Sequence, residues 1–557
     1  MKKYIIAILA ALPALASCND LLFLESETAV TNNYLYSSKD ALARASLALY
    51  VVERDNALDA DTGNDQTDQG IPYLMKMLDG GTDICLFRAG AGAPIWRDYS
   101  YIADQPTIDF FWKYHYKLIG RANEIITAAE SIGTDDSDVA TIKAEACLTR
   151  ARAYFDLWKF FERLYLNTEP TTVDNLNRTY TPASREELFT QMKKDLDYAV
   201  DNLPWSLPTA SSGVMYGRYN KNVALHVRAQ VAMWEDDWDE AIACCERIFT
   251  DGAAYNSLET DIDRVFRADG GELRSKEILF SYQFSKNLGG GGDVLSSGNI
   301  RGHAINVYVT PQHRSIFGNC YAEEGGYGFG RIFPNSYLLS LYDQTCDKRY
   351  NSYFKHEYTY QDPSSANYGT VIDPKALYDA GKLDADNVVR YTHSMCIKQA
   401  DFWTNQDLPT RQSSFRDLVV YRLAETYLMC AEAYFHKGDN TNALKYFNKT
   451  YMRAGNPEFT GTLTLDDLLD EYARECSFEG VRWPLLKRLG ILGERVRLHL
   501  GDSQDDDPLL KYVRANCDNF TAGRRNFKDG KHEKWPIPSN QLLLMGKENF
   551  PQNEGWE

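Results

Sequence analysis

The stretch that decides the fold runs from Leu418 to Gly455 and reads LVVYRLAETYLMCAEAYFHKGDNTNALKYFNKTYMRAG. From Leu418 to His436 apolar residues return every three or four positions, the period of a helix that buries one face. Lys437-Gly438-Asp439 breaks the period, with a glycine suited to a helix end. It resumes from Thr441 to Arg453. Two short helices with so brief a link fold back as antiparallel neighbours.

Side-chain size along that hairpin is informative. Tyr427, Ala431, Tyr434, Ala443 and Phe447 fall at the spacings of the tetratricopeptide pattern, in which small residues let two helices approach and aromatics fill the gap above them. Leu225, Ala229 and Ala241, straddling the Trp234 to Trp238 bend, echo that register, and the Ala-rich run from Ala144 to Phe155 suits another first helix. Helical periodicity also covers Lys39 to Arg54, Ile108 to Ser131, Asp138 to Leu166, Arg185 to Asn202 and Asn220 to Trp234. From about Asp251 to Arg416 the chain turns rich in Gly, Asn, Tyr and Asp, with Gly289 to Gly292 and Gly325-Gly326-Tyr327-Gly328-Phe329-Gly330 as its plainest loop signals. The reading is a mainly α protein, a tetratricopeptide-like helical repeat scaffold with a loop-rich, irregular insertion carrying short strands. Its expected parts are a leader over 1–17, an N-terminal part with helical pairs over 18–250, a ligand-binding insertion over 251–416, and a C-terminal helical pair and tail over 417–557.

At the N-terminus Lys2 and Lys3 precede an apolar run from Tyr4 to Leu12, too short to span a bilayer. It closes on Leu15-Ala16-Ser17-Cys18, which resembles the lipobox of bacterial lipoproteins. This predicts cleavage before Cys18 and lipidation of that cysteine, with several acyl chains giving a stable membrane hold.

The 557 residues are 44% hydrophobic and 13% aromatic, ample for a large core, and carry a formal net charge of −18. Losing Lys2 and Lys3 with the leader makes the mature chain −20, which opposes nucleic-acid binding. Eleven cysteines occur without CxxC pairs or histidines at metal spacing, so no zinc site and no cofactor is expected. Cys147 and Cys430 sit among helical alanines and suit buried thiols, whereas the adjacent Cys244 and Cys245 have no reading. The acidic stretch Asp59, Asp61, Asn64, Asp65 and Asp68 lacks the glycine and closing glutamate of a calcium loop and reads as a solvated loop, as does the Asp502 to Asp507 cluster.

Several motifs together resemble the SusD and RagB group of outer-membrane nutrient-binding lipoproteins. They are Cys18-Asn19-Asp20; Trp112, Tyr116 and Asn123; Lys143-Ala144-Glu145-Ala146 with Arg150-Ala151 and Tyr154; and Gly217-Arg218. Later come Tyr421-Arg422-Leu423-Ala424-Glu425, Ala431-Glu432-Ala433, Arg453-Ala454-Gly455, Glu479-Gly480-Val481-Arg482-Trp483, and a tail from Trp535-Pro536-Ile537-Pro538 to Gln552-Asn553. The chain departs from the family pattern at Leu485, where an Asp is usual, and at Tyr472, where an Arg usually follows the glutamate corresponding to Glu471. This predicts a rewired polar network around Arg482. Glu554 and Trp556 also depart mildly, at what reads as a surface terminus.

The resemblance implies a lipid-anchored protein on the outer face of the outer membrane that captures oligosaccharides and delivers them to a SusC-like TonB-dependent transporter. A RagB-like peptide binder is the alternative. Sugar rings stack on aromatic faces, so ligand candidates are loop aromatics: Trp96, Tyr99 and Tyr101, after a glycine-bearing segment, and Tyr321, Tyr327 and Phe329. Arg97 and Asp98 are weaker candidates for hydroxyl contacts. Trp112, Trp158 and Trp234 lie at apolar helical spacing and read as core. A surface glycosidase is the further alternative, but the 78 acidic residues make chance carboxylate pairs common, and there is no GxSxG or HExxH motif. The reading is non-catalytic.

Overall fold

The computed structural model describes residues 36–55, 78–88, 94–172, 174–175, 178–206, 217–269, 272–273, 275–286, 293–294, 300–501 and 521–557. Cys18 and its leader, the Asp59 to Asp68 stretch, Gly289 to Gly292 and the Asp502 to Asp507 cluster lie outside them.

The helices that matter below are α1 (Lys39–Asp55), α2 (Pro106–Ile132), α3 (Ser137–Phe161), α4 (Arg185–Asn202), α5 (Lys221–Trp234), α6 (Trp238–Thr250), α7 (Ala385–Thr392), α8 (Leu423–His436), α9 (Asn440–Arg453), α10 (Leu465–Cys476) and α11 (Arg482–Arg488). The strands that matter below are β1 (Cys85–Phe87), β2 (Ile278–Tyr282), β3 (Ile332–Pro334) and β4 (Leu418–Arg422). Helices pack as sequential hairpins, α2 on α3, α3 on α4, α5 on α6 and α8 on α9, and α6 lies against α8 to join the two repeat pairs. The expected helical scaffold is therefore present. Ala229, Ala241, Ala431 and Ala443 are fully buried at the hairpin seams, and Phe249 stacks on Tyr427 with ring centroids 4.0 Å apart. Local signals fix the starts. Asp439 caps α9 by accepting from the Asn442 amide at 3.0 Å, and Ser184 and Glu187 form a reciprocal capping box on α4.

One expected helix is partly wrong. Leu418 to Arg422 is a strand, paired antiparallel with β2, and helix begins only at Leu423. Both strands are almost wholly buried, so neither shows the polar alternation that separates strand from helix in a sequence, although Leu-Val-Val-Tyr is strand-favouring chemistry. That pairing ties the start of the loop-rich part to the C-terminal part. Likewise α3 stops at Phe161, where Glu162 takes a left-handed conformation, rather than running to Leu166.

Beneath the strand pair lies a buried ionic core. Arg422 binds Glu277 at 2.8 Å, Glu475 at 2.7 Å and Glu479 at 2.6 Å; Arg453 binds Glu277 at 2.7 Å; Arg349 binds Glu471 at 2.8 Å. Opposite charges and multiple hydrogen bonds make such burial tolerable, whereas a single missing partner would strand a charge. The family motifs around Arg422, Arg453 and Glu479 are the pieces of this core. The tail motif docks similarly: the Trp535 amide donates to the Phe160 carbonyl at 2.7 Å, and Asn553 Nδ2 donates to the Phe161 carbonyl at 2.7 Å, closing the end of α3.

All nine cysteines among the described residues are free thiols, including Cys244 and Cys245. No described helix is long and apolar enough to cross a membrane.

Candidate ligand-binding site

The end of the glycine-rich loop 325–330 and the following Arg331 are strapped to a short helix, Ile305–Val309, and its capping residue Thr310 by three backbone bonds. Phe329 N donates to Val307 O at 2.6 Å, Arg331 N to Tyr308 O at 2.9 Å, and Gly330 N to Thr310 O at 2.9 Å. The glycines are needed for that closeness. A Cβ on Gly328 would sit 2.2 Å from the Pro311 carbonyl oxygen, and one on Gly330, at φ +59°, would sit 2.3 Å from that of Arg390. Immediately after the loop, β3 pairs with β1, and the Arg88 amide donates to the Arg331 carbonyl at 2.7 Å. A loop so held costs a ligand little ordering entropy.

What the loop displays is aromatic and cationic. Tyr327 meets Phe329 edge-on at 5.4 Å, and Phe329 meets Tyr308 at 5.8 Å. The Arg314 guanidinium lies 3.8 Å from the Tyr327 ring centroid and donates to the Gly328 carbonyl, while Arg331 lies 4.6 Å from the Phe329 centroid. Arg88 grips Asp386 through Nε and Nη2, the latter at 2.6 Å. Arg390, on α7, is half-buried, and its affinity for its proton is lowered by burial and by the neighbouring Arg88. Phe317, on the same short helix as Arg314, carries Tyr321 and Tyr360 at 5.9 Å each. Tyr321, Tyr327 and Tyr360 are partly exposed, whereas Phe329 is buried against Tyr327 and Tyr308. Tyr327 and Phe329 thus come together, with Phe329 as support rather than as an open face, and Tyr321 joins the loop through its carbonyl, which accepts from the Gly326 amide at 2.9 Å.

The other expected group is elsewhere in role. Trp96, Tyr99 and Tyr101 are buried, contrary to the exposure expected from the preceding glycines. They enter a tail-built aromatic cluster: Trp96 meets Tyr101 at 5.0 Å and Trp535 at 5.2 Å, Tyr99 meets Phe527 at 4.7 Å, and Tyr101 stacks on Trp556 at 5.4 Å. Tyr99 also donates to the Gly81 carbonyl. No sequence-local feature reveals this, because the partners lie over 400 residues away. Trp556 is correspondingly half-buried and is no mere surface terminus. Arg97 is buried, pairs with Asp98 at 2.6 Å and donates to the Phe87 carbonyl at 2.7 Å, so it too is structural. Trp112 and Trp158 are core as expected, and Trp234 is half-buried.

The residues of this candidate site that sequence reading missed are Arg88, Arg314, Arg331, Arg390, Tyr308 and Tyr360. Each is a lone residue without a motif, and only the β1–β3 pairing and the seating of α7 assemble them.

A separate cavity of about 140 Å³ opens between α3, α5, α8 and α11, walled by Phe155, Met233, Trp234, Tyr421, Tyr472 and Leu485 among others. Its charged groups are paired within the frame, as in Lys159 with Asp156 at 2.6 Å and Arg488 with Glu432 at 2.7 Å. No cluster of histidine, cysteine and carboxylate side chains suited to a metal occurs among the described residues.

Comparison with known proteins places these features in context. The family model described as "SusD family" matches residues 276–556, and that described as "Starch-binding associating with outer membrane" matches residues 93–232. SusD-like protein P25 of Formosa agariphila is 23% identical over 552 residues, covering 95% of this chain and 94% of that one. The starch-binding protein SusD of Bacteroides thetaiotaomicron is 26% identical over 195 residues, 33% of this chain and 31% of that protein. Among solved structures, a SusD homolog from Bacteroides thetaiotaomicron superposes with a TM-score of 0.70 at 21% identity, covering 94% of this chain and 98% of that one. The surface glycan-binding protein A of the same organism, in complex with laminarihexaose, gives a TM-score of 0.67 at 18% identity, covering 92% and 99%.

Proposed function

The chain belongs to the SusD family, and from that premise we propose that it is a non-catalytic surface lipoprotein that captures an oligosaccharide and passes it to a SusC-like TonB-dependent transporter. The observation that carries this reading is the row of partly exposed rings, Tyr321, Tyr327 and Tyr360, on loops fixed to a rigid helical frame. Sugar rings present apolar faces that stack on such aromatics, and neighbouring guanidinium and amide groups bond the hydroxyls. The names of two similar proteins, one starch-binding and one solved with laminarihexaose, point the same way.

A role in hydrolysis has less support. Asp386, the carboxylate that contacts the arginine cluster, is engaged by Arg88 at two points, which suits anchoring rather than proton transfer. Lipidation at Cys18 would hold the binder beside its transporter on the outer face of the outer membrane. The tether raises the effective concentration of captured ligand at the barrel mouth.

A glycan array probed with the lipid-free mature protein tests the reading, with incubation of any hit checked for new reducing ends. Saturable binding without turnover is the expected result. Turnover that survives repurification, or an array with no hit, would contradict it.

A further inference from the structure

Four guanidinium groups meet at the loop site of a chain whose net charge is −18. Arg314 and Arg331 both lie over the Phe329 ring, at 5.9 Å and 4.6 Å. Arg88 is joined to Arg331 through its backbone, and the Arg390 carbonyl accepts from the Gln312 amide at 2.9 Å, which brings α7 alongside Arg314. Like charges gathered in this way repel, and Arg390 shows it: burial, Arg88 and Arg314 all weaken its hold on its proton.

One carboxylate, Asp386, offsets the cluster in part, since it strengthens Arg390's hold on its proton. Asp386 is committed to Arg88, with Nη2 to Oδ2 at 2.6 Å. Among the described residues Arg314 and Arg390 make no ion pair, and Arg390 Nε is buried without a hydrogen-bond partner. A neutral sugar would leave that repulsion standing. An acidic one would relieve it, because a guanidinium fork matches a carboxylate or sulfate at two points while the flanking rings take the sugar face.

Resting on the reading of the loop site as a glycan site, we propose that its ligand is an acidic oligosaccharide whose carboxylate or sulfate groups are held by Arg390 and Arg314 beside Tyr327. The aromatic rings set affinity for sugar in general, and the arginines select for negative charge. Selection of this kind also explains how a strongly acidic protein accepts an anionic chain: the local field at the site is reversed from the field of the whole.

The test titrates the lipid-free mature protein with galacturonate and alginate oligosaccharides, a sulfated galactan oligosaccharide, the fully methyl-esterified galacturonate series, neutral laminari- and malto-oligosaccharides, and an acidic peptide. The expected result is an acidic series that binds at least about tenfold more tightly than its uncharged counterpart and weakens as salt is raised. Arg390→Gln should lose about tenfold for the acidic series while its melting temperature is unchanged. Neutral or esterified glycans binding as tightly as acidic ones would overturn the charge selection and leave the glycan site standing. The acidic peptide binding where no glycan does would overturn both.

Discussion

Arg482 holds Asp83 at two points, Nε to Oδ1 at 2.8 Å and Nη2 to Oδ2 at 2.5 Å, across 399 residues of sequence. Its Nη1 donates to the Leu469 carbonyl at 2.6 Å, and Arg495 Nε adds a contact to the same aspartate at 3.1 Å. The Glu-Gly-x-Arg motif thus clamps the segment leading into β1, and therefore the loop site paired to it through β3. Leu485 offers Arg482 no carboxylate, and the one it uses comes from Asp83. Asp83→Ala would leave the buried Arg482 guanidinium without its carboxylate, and Arg495 with only the exposed Asp466, and should destabilise the protein by about 3–5 kcal/mol in denaturant unfolding. A loss below about 1 kcal/mol would show that the clamp carries little.

The neighbouring Asp79 gives a pH signature. Burial pushes its carboxyl up to about 7, against the pull of the Gly480 and Arg482 amides that donate to it. With the folded value above the unfolded one, the native state holds the proton more tightly, so this group's contribution to stability falls as pH rises from about 4 to 7. Asp79→Asn removes that titration. The variant carries a constant cost, because its amide meets backbone donors, but the stability difference between wild type and variant should shift steadily in the variant's favour across the window. A difference that does not change with pH contradicts the account.

The two aromatic groups should separate cleanly on mutation. Trp96→Ala opens a cavity against Trp535 and should cost about 3–5 kcal/mol of stability. Tyr327→Ala removes a half-exposed ring and should leave the melting temperature within a degree or two while weakening glycan binding about tenfold, the scale of one aromatic contact. Calorimetry and thermal melts on both variants read the two quantities independently. Trp96→Ala melting like wild type would contradict its place in the core.

Gly328→Ala forces a methyl group into the Pro311 and Thr310 carbonyls, 2.2 Å and 2.4 Å from where its Cβ must lie. The strapped loop has to lift, displacing Tyr327 and Arg314 together. Binding should fall at least as far as in Tyr327→Ala, with a smaller change in global unfolding than Asp83→Ala produces. Wild-type affinity in this variant would show that the loop conformation does not set the site.

Much of the frame was legible because it is written in local period: α5, α8 and α9 end within a residue or two of where spacing and Gly438 put them, apart from the β4 strand at the start of α8. That strand escaped because a segment buried on both faces has no alternation to read. The candidate site is half legible. Tyr327 and Phe329 sit in a glycine run that announces a tight loop, so they could be found. Trp96 misled because glycines before it signal a loop, while the Trp535 and Trp556 rings that bury its cluster arrive from the far end of the chain. The arginines were invisible for the same reason, since only tertiary pairing gathers them.

The most direct test of the central claim is isothermal calorimetry of the lipid-free mature protein with the best glycan from an array, run beside Tyr327→Ala at matched fold stability. Saturable binding by the wild type that drops about tenfold or more in the variant is the predicted result. Equal affinity in the two proteins, or no saturable heat with any glycan, would contradict it.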